Sequence, residues 1–425
     1  MSNAFSRYKW TGLMAFSLMY NFVYLGRFNV NHLMDFIAED LLMTERQQAV
    51  ISMSVFVSYA LGSFVNGYLA DRFGAKRIVI TGGIMTSVFN VCIPFQQDWT
   101  SVLLIWFLNG YFQSMIWVGG ISFLSHWWEE GERGKGVGIA NFFSGMSHAT
   151  AYAIPILLMS LWPSMGWRMN FIVPIGILLI FVLLFGIFAV EKPERVGLEP
   201  YSVENQRHRE REAVLTDIAA AKKPPWKFFF SQGRFWWWCA VAMLCSICRY
   251  GLLDWIPLYY DEEGQGDLLS DSFSNLTLPI GMAFGTLIIT WVAGTKLVNN
   301  KGVIVTAMAA ICGTLIIVFP MLANIQSVLV GIFFTGFTLY GINGILWVHA
   351  IDQGCRVFSG SAAGIFNGFA YLGACLERYV FPEILGWFGS SLSVFVVMEG
   401  LCIGMVLCGM VVSKKNTIVE PEVRE

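Results

Sequence analysis

The chain has 425 residues, of which 56% are hydrophobic and only 13% charged, with a net charge of −2 and a mean hydropathy of +0.60. Soluble domains carry about 25% charged residues, so the composition excludes an ordinary soluble enzyme. The nearly balanced charge implies no nucleic-acid partner. The charge that remains sits between long apolar runs, the pattern of a polytopic membrane protein. The N-terminus is short and polar, and the first apolar run is too long and lacks a cleavage site, so no cleavable signal peptide is expected.

About 20 apolar residues suffice to cross a bilayer, and twelve such runs are predicted. The first six lie near residues 10–36, 48–70, 78–95, 100–126, 136–161 and 168–190. The second six lie near 235–259, 272–295, 302–321, 326–350, 358–385 and 389–412. Between the sets runs the one long polar stretch, with Glu191, Lys192, Glu194, Arg195, then Arg207 to Glu212, then Lys222 and Lys223. The predicted organisation is a six-helix bundle over residues 1–190, a solvated linker over 191–233 and a second six-helix bundle over 234–425. Two such halves rocking about a midplane site are an arrangement known among secondary transporters.

Short loops set the orientation. Arg7, Lys9, Arg72, Lys76, Arg77, Arg133, Lys135, Lys296, Lys301, Lys414 and Lys415 all fall on one side if there are twelve crossings. The loop after the seventh run, on the other side, is acidic, with Asp261, Glu262, Glu263, Asp267 and Asp271. Both termini and the linker are therefore expected in the cytoplasm.

Two charges interrupt the apolar pattern. Arg27 lies in the first run, in Tyr20-Asn-Phe-Val-Tyr24-Leu-Gly-Arg27, and Arg249 lies in the first run of the second half. A charge at bilayer depth costs roughly 2.5 kcal/mol or more, and it persists where it faces a cavity or a partner. Two guanidinium groups at equivalent places suggest a site that grips an anion, because the guanidinium fork donates bidentate bonds to phosphate or carboxylate and stays charged. The competing reading of each arginine is a structural ion pair. Cys245 and Cys248 form a CxxC, but on a predicted membrane helix, where buried small hydrophobes are expected.

The segment after the second run reads Gly67-Tyr-Leu-Ala-Asp71-Arg72-Phe-Gly74-Ala-Lys76-Arg77. It resembles the loop signature of the major facilitator superfamily. Asp71 is expected to accept hydrogen bonds from a neighbouring helix end or a basic residue. The matching place in the second half, Thr290-Trp-Val-Ala-Gly294-Thr-Lys296, lacks the acid. Gly110 to Trp117, His126-Trp127-Trp128, Glu132-Arg133-Gly134, Arg249 to Pro257, and Ala362-Ala-Gly364 with Tyr371-Leu-Gly373 are similar to segments of the organophosphate:phosphate antiporters, which include bacterial glycerol-3-phosphate and hexose-phosphate transporters.

This resemblance implies an all-α membrane protein with twelve transmembrane helices in two pseudo-symmetric six-helix bundles. It matches Arg27 and Arg249 to the family's phosphate-clamping arginines and His148 to a substrate-binding histidine. It matches Tyr20, Tyr24, Tyr59, Tyr340 and Tyr371 to cavity-lining tyrosines. Packing is the competing role for His148 and the tyrosines. Phe28 and Ser63 stand where the glycerol-3-phosphate pattern has lysines, so sharp selection for a dianion is not expected. Glu377-Arg378 has no family equivalent. Asp254, Glu377, Asp71 and Arg72 are candidates for coupling or gating, and a structural ion pair is the competing reading for Glu377 with Arg378.

The expected function is alternating-access transport of a small organic anion, such as a sugar or glycerol phosphate, in exchange for inorganic phosphate. Proton- or cation-coupled symport of a carboxylate, sulfonate or phosphonate is the alternative within the same fold. A non-transporting membrane sensor of sugar phosphate is the alternative of another class. No nucleophile–base or metal-ligand cluster points to an enzyme, and no cofactor or metal is expected. The expected setting is a monomer in the inner membrane, with a small anion, the bilayer, and inorganic phosphate or a proton as partners.

Overall fold

The computed structural model describes residues 3–162, 166–203, 205–262, 274–294, 300–322 and 324–414. Glu263, Asp267, Asp271, Lys296 and Lys415, used above for orientation, lie outside them. Helices are the only regular secondary structure among the described residues. In the first half run α1 (Asn3–Val23), α2 (Asn29–His32), α3 (Met34–Asp40), α4 (Glu45–Phe73), α5 (Ala75–Cys92), α6 (Trp99–Trp127), α7 (Arg133–Leu161) and α8 (Gly166–Phe188). Two short helices follow, α9 (Gln206–Ala220) and α10 (Trp226–Phe230). The second half comprises α11 (Gly233–Glu262), α12 (Ser274–Ala293), α13 (Lys301–Val318), α14 (Ile325–Gly354), α15 (Ser359–Phe388) and α16 (Leu392–Ser413).

Helix starts follow local chemistry. Thr44 and Gln47 close a capping box on α4, Asp98 caps α6, and Asn300 and Asn324 cap α13 and α14. Leu183, Ile187, Val303, Ile403 and Leu407 stand exposed on the outer surface, where hydrocarbon rather than water suits them. Among the described residues, nine helices are long and apolar enough to cross a membrane. Of the long helices described without gaps, α1 and α15 miss that threshold. They direct Tyr20, Asn21, Asn367, Tyr371 and Glu377 into the protein interior, and α7 directs His148 there.

The first predicted run, 10–36, is not one helix. It stops at Val23, continues as a 3-10 turn over Tyr24–Gly26, and restarts at Asn29. The reason is local competition for hydrogen bonds. The Gly26 carbonyl accepts from the side-chain amides of Asn90 (3.1 Å), Asn109 (3.0 Å) and Gln113 (3.2 Å). The Val30 amide, which a continuous helix would send to Gly26, instead donates to Asn29 Oδ1 at 3.0 Å. Arg27 sits at this break.

Buried apolar clusters run through both halves, and the halves meet chiefly through two related contacts, α4 with α15 and α7 with α12. In each, the second long helix of one half meets the fifth of the other. Gly67 lies against the Gly360 carbonyl and the Gly364 Cα, and Gly134 lies against Gly294, with no room for a Cβ at either. These close approaches lie between Arg27 and the linker, so the halves are shut together on the linker side. There Arg133 of α7 donates to Asp352 of α14 at 2.9 Å, and Lys301 donates to the same carboxylate at 2.7 Å.

The linker is more than a solvated tether. The Tyr201 hydroxyl donates to the Ser125 carbonyl at 2.8 Å and accepts from Arg133 at 3.2 Å. From α9, Glu212 pairs with Arg356 at 2.7 Å, and Arg211 donates to the Gln353 carbonyl at 3.0 Å. His208 pairs with Glu130 at 3.0 Å and, by hydrogen bonding, holds that carboxyl below its usual range. Residues of α9 thus grip both halves at once.

Candidate functional site

Arg27 and Arg249 come from opposite halves and lie in one buried layer. Each reaches across the boundary. Arg27 donates through Nη1 to the Tyr371 hydroxyl of α15 at 2.8 Å. Arg249 of α11 donates through Nη2 to the Tyr24 hydroxyl at 3.3 Å, and the same atom lies 3.2 Å from His148 Nε2 on α7. A guanidinium only donates, so Nε2 must accept there, and the imidazole is neutral in this arrangement.

Aromatic faces hold both cations. The Arg27 guanidinium lies over Tyr24 (4.5 Å) and Tyr59 (4.6 Å), and that of Arg249 over Tyr340 (4.8 Å) and Tyr250 (5.0 Å). Tyr59 and Tyr371 stack at 4.0 Å across the boundary. Tyr20 stands one ring back, edge-on to Tyr24 at 5.9 Å and against Trp117 at 4.6 Å. Phe28 packs on the His148 ring at 5.3 Å, and Ser63 lies nearer the linker, accepting from Asn367 at 3.2 Å.

No carboxylate forms an ion pair with either arginine among the described residues. Arg27 Nη2 and Arg249 Nε are buried without a hydrogen-bond partner. Buried cations ordinarily find a counter-charge, so this layer is electrostatically incomplete.

The gating candidates divide. Asp71 Oδ1 accepts from the Gly360 amide (2.9 Å) and the Ser122 hydroxyl (2.8 Å), and Oδ2 from the Ser361 amide (2.6 Å) and hydroxyl (2.7 Å). A carboxylate from the first half therefore occupies the N-terminus of α15, where the helix dipole favours negative charge. Its neighbour Arg72 is exposed and lies over Phe73 at 5.4 Å, away from the layer. Asp254 pairs with Arg378 at 3.0 Å, within the second half. Glu377 therefore does not share a pair with its chain neighbour. It is buried, accepts from the Trp255 indole at 3.2 Å, and its Oε2 has no partner. Cys245 and Cys248 are buried thiols directed at the carbonyls of Leu339 and Met398.

The predicted binding residues thus share one cluster, but sequence reasoning missed Gln113. Its Oε1 accepts from Arg27 Nε at 2.5 Å. A Gln within Gly110–Trp117, on a helix otherwise rich in apolar residues, was the available signal. Asn90, Asn109 and the Arg133–Asp352 pair were missed as well.

A twelve-helix, two-bundle fold with a cationic layer between the halves defines a membrane carrier architecture. The chain belongs to the major facilitator superfamily: the family model described as Major Facilitator Superfamily matches residues 16–376. It is 24% identical over 399 residues to a probable hexose phosphate transport protein of Chlamydia muridarum, covering 87% of this chain and 84% of that one. It is 25% identical to the membrane sensor protein UhpC of Salmonella typhimurium (88% and 84% covered) and 24% identical to the probable sulfoacetate transporter SauU of Cupriavidus necator (95% and 94% covered). Among solved structures, the proton:xylose symporter XylE bound to 6-bromo-6-deoxy-D-glucose shares the fold, with a TM-score of 0.72 at 13% identity over 95% of both chains.

Proposed function

We propose that the protein is a secondary transporter that exchanges a small organic anion, a phosphorylated sugar or related compound, for inorganic phosphate. The observation that carries this reading is the pair of buried, uncompensated guanidinium groups, one per half, each with an unpartnered nitrogen. An anion bound there supplies the missing counter-charge and draws on both halves at once. That differential binding biases the rocking equilibrium. Tyrosine hydroxyls and His148 supply neutral contacts around it. The relatives named for hexose phosphate and sulfoacetate are consistent with an anionic cargo. Proteoliposomes loaded with phosphate should take up glucose 6-phosphate, glycerol 3-phosphate or sulfoacetate faster than unloaded ones. Absence of uptake for every such anion overturns transport and leaves sensing as the reading.

A second reading, proton-coupled symport, is favoured by Glu377, whose Oε2 is buried without a partner. A carboxyl so placed is able to carry a proton. If it does, an inward acid gradient should stimulate wild-type uptake several-fold, and Glu377→Gln should lose that stimulation while retaining exchange. Equal stimulation in both proteins removes Glu377 from coupling.

The positive short loops support a reading in which the linker and both termini face the cytoplasm and the protein sits in an inner membrane. A cysteine at Asn205, in a background without the nine native cysteines, should resist an impermeant thiol reagent in intact cells and react after permeabilisation. Rapid labelling of intact cells reverses the orientation.

A further inference from the structure

The break in the first transmembrane segment and the Arg27 side chain are held by the same residue. Gln113 is fully buried on α6. Its Nε2 donates to the Gly26 carbonyl at 3.2 Å, and its Oε1 accepts from Arg27 Nε at 2.5 Å. This orientation is forced. Flipping the amide would set NH2 against the Arg27 N–H and oxygen against the Gly26 oxygen, losing both bonds.

The network behind it has one direction. Asn29 donates to Asn90 Oδ1 at 2.8 Å, and Asn90 donates to Asn109 Oδ1 at 3.2 Å. Asn90, Asn109 and Gln113 all converge on the Gly26 carbonyl. A side chain at position 26 would crowd Asn90, Ile175 and Thr86, so glycine is what lets the amides approach.

We infer that Gln113 is the positioning residue of the Arg27 anion site, and that its being an amide rather than an acid sets the site's charge. This rests on the proposed role of Arg27 in binding an anion. A neutral acceptor on Nε fixes the guanidinium plane without cancelling its charge. It leaves Nη1 to Tyr371 and Nη2 unpartnered, facing the layer. Glutamate, of the same shape, would pair with Arg27 and supply from within the counter-charge that the cargo is proposed to bring. It would also present an acceptor to the Gly26 oxygen in place of a donor.

The test compares Gln113→Glu, Gln113→Leu and Asn66→Asp in the full-length protein in lipid nanodiscs. Asn66 is a buried amide bonded to Tyr111 (3.0 Å) and Ser114 (2.7 Å) on the same helix, outside the layer, and controls for a buried acid. Backbone hydrogen exchange over residues 24–30 needs no ligand. It should rise at least tenfold in both Gln113 variants and stay unchanged in Asn66→Asp. Affinity for inorganic phosphate and glucose 6-phosphate should fall more than tenfold in Gln113→Glu and only a few-fold in Gln113→Leu, which keeps the Arg27 charge uncancelled. Unchanged exchange in both Gln113 variants overturns the inference. So does an equal affinity loss in Glu and Leu, which would make Gln113 merely structural. If wild type binds neither anion, the reading of exchange against inorganic phosphate fails, and the hydrogen-exchange comparison alone decides whether Gln113 holds the break.

Discussion

Replacing Arg27 or Arg249 with lysine is expected to cripple transport, and replacing both to abolish it. Each guanidinium already spends one or two donors on fixed neutral partners: Gln113 and Tyr371 for Arg27, Tyr24 and His148 for Arg249. The remaining N–H groups are what a ligand can use. A lysine keeps the charge but concentrates it on one atom, so it cannot hold the framework contacts and present a fork together. Hydrogen bonds to charged groups are worth about 1.5–3 kcal/mol each, so losing one such bond per arginine should weaken anion binding roughly ten- to a hundredfold. Thermal stability without ligand should change little, since neither arginine has a carboxylate to orphan. Uptake and isothermal titration with the single and double variants check this. Wild-type transport by the double variant would sink the assignment of the layer as the binding site.

Asp71→Asn is expected to open the linker side. In the present arrangement the carboxylate accepts four hydrogen bonds, three of them from the first turn of α15 in the other half. Asparagine keeps the shape, but it removes the charge from a helix N-terminus and turns one acceptor atom into a donor facing the Ser361 amide. Loss of one or two charge-assisted bonds, about 2–3 kcal/mol in all, shifts the closed-to-open ratio by a factor of roughly 30–150. The second half has no acid at the matching loop, so no symmetric latch compensates. Spin labels on exposed Arg77 and Lys414 should report longer, broader distances in the variant. Identical distributions in the two proteins would show that Asp71 does not hold the halves.

The helix count and the two-half plan were legible because hydropathy is a sum over many residues, and a few polar side chains rarely erase it. Arg27 and Arg249 were legible for the opposite reason: a single charge in such a run is conspicuous. Gln113 was not, since an uncharged amide on α6 barely changes the average, and what gives it meaning is Gly26, distant in sequence. The break at Tyr24–Gly26 was hidden likewise. Its cause is side-chain competition from α5 and α6, which no local propensity in the first run encodes. Glu377 and Arg378 are neighbours in sequence, yet they point to different partners, Trp255 and Asp254. The linker read as polar and solvated, and its contacts with Ser125, Gln353 and Arg356 came only with the packed bundle.

The uneven hydropathy of the helices bears on how the chain is made. A segment leaving the ribosome is judged for membrane entry mostly on its own, and a central arginine, aspartate or lysine costs about 2.5–3.5 kcal/mol at that moment. The strongly apolar α8 and α16 should enter the bilayer unaided. By contrast α1 and α15, which carry polar residues of the interior, should enter poorly as isolated segments and need neighbours already in place. For α15, whose Glu377 and Arg378 sit among partners from α11, the helper is synthesised about a hundred residues earlier. The features that equip the bundle interior for an ion therefore make its biogenesis an ordered affair. Single-helix insertion assays on these two segments should give markedly lower efficiency than the same segments in their full-length chain.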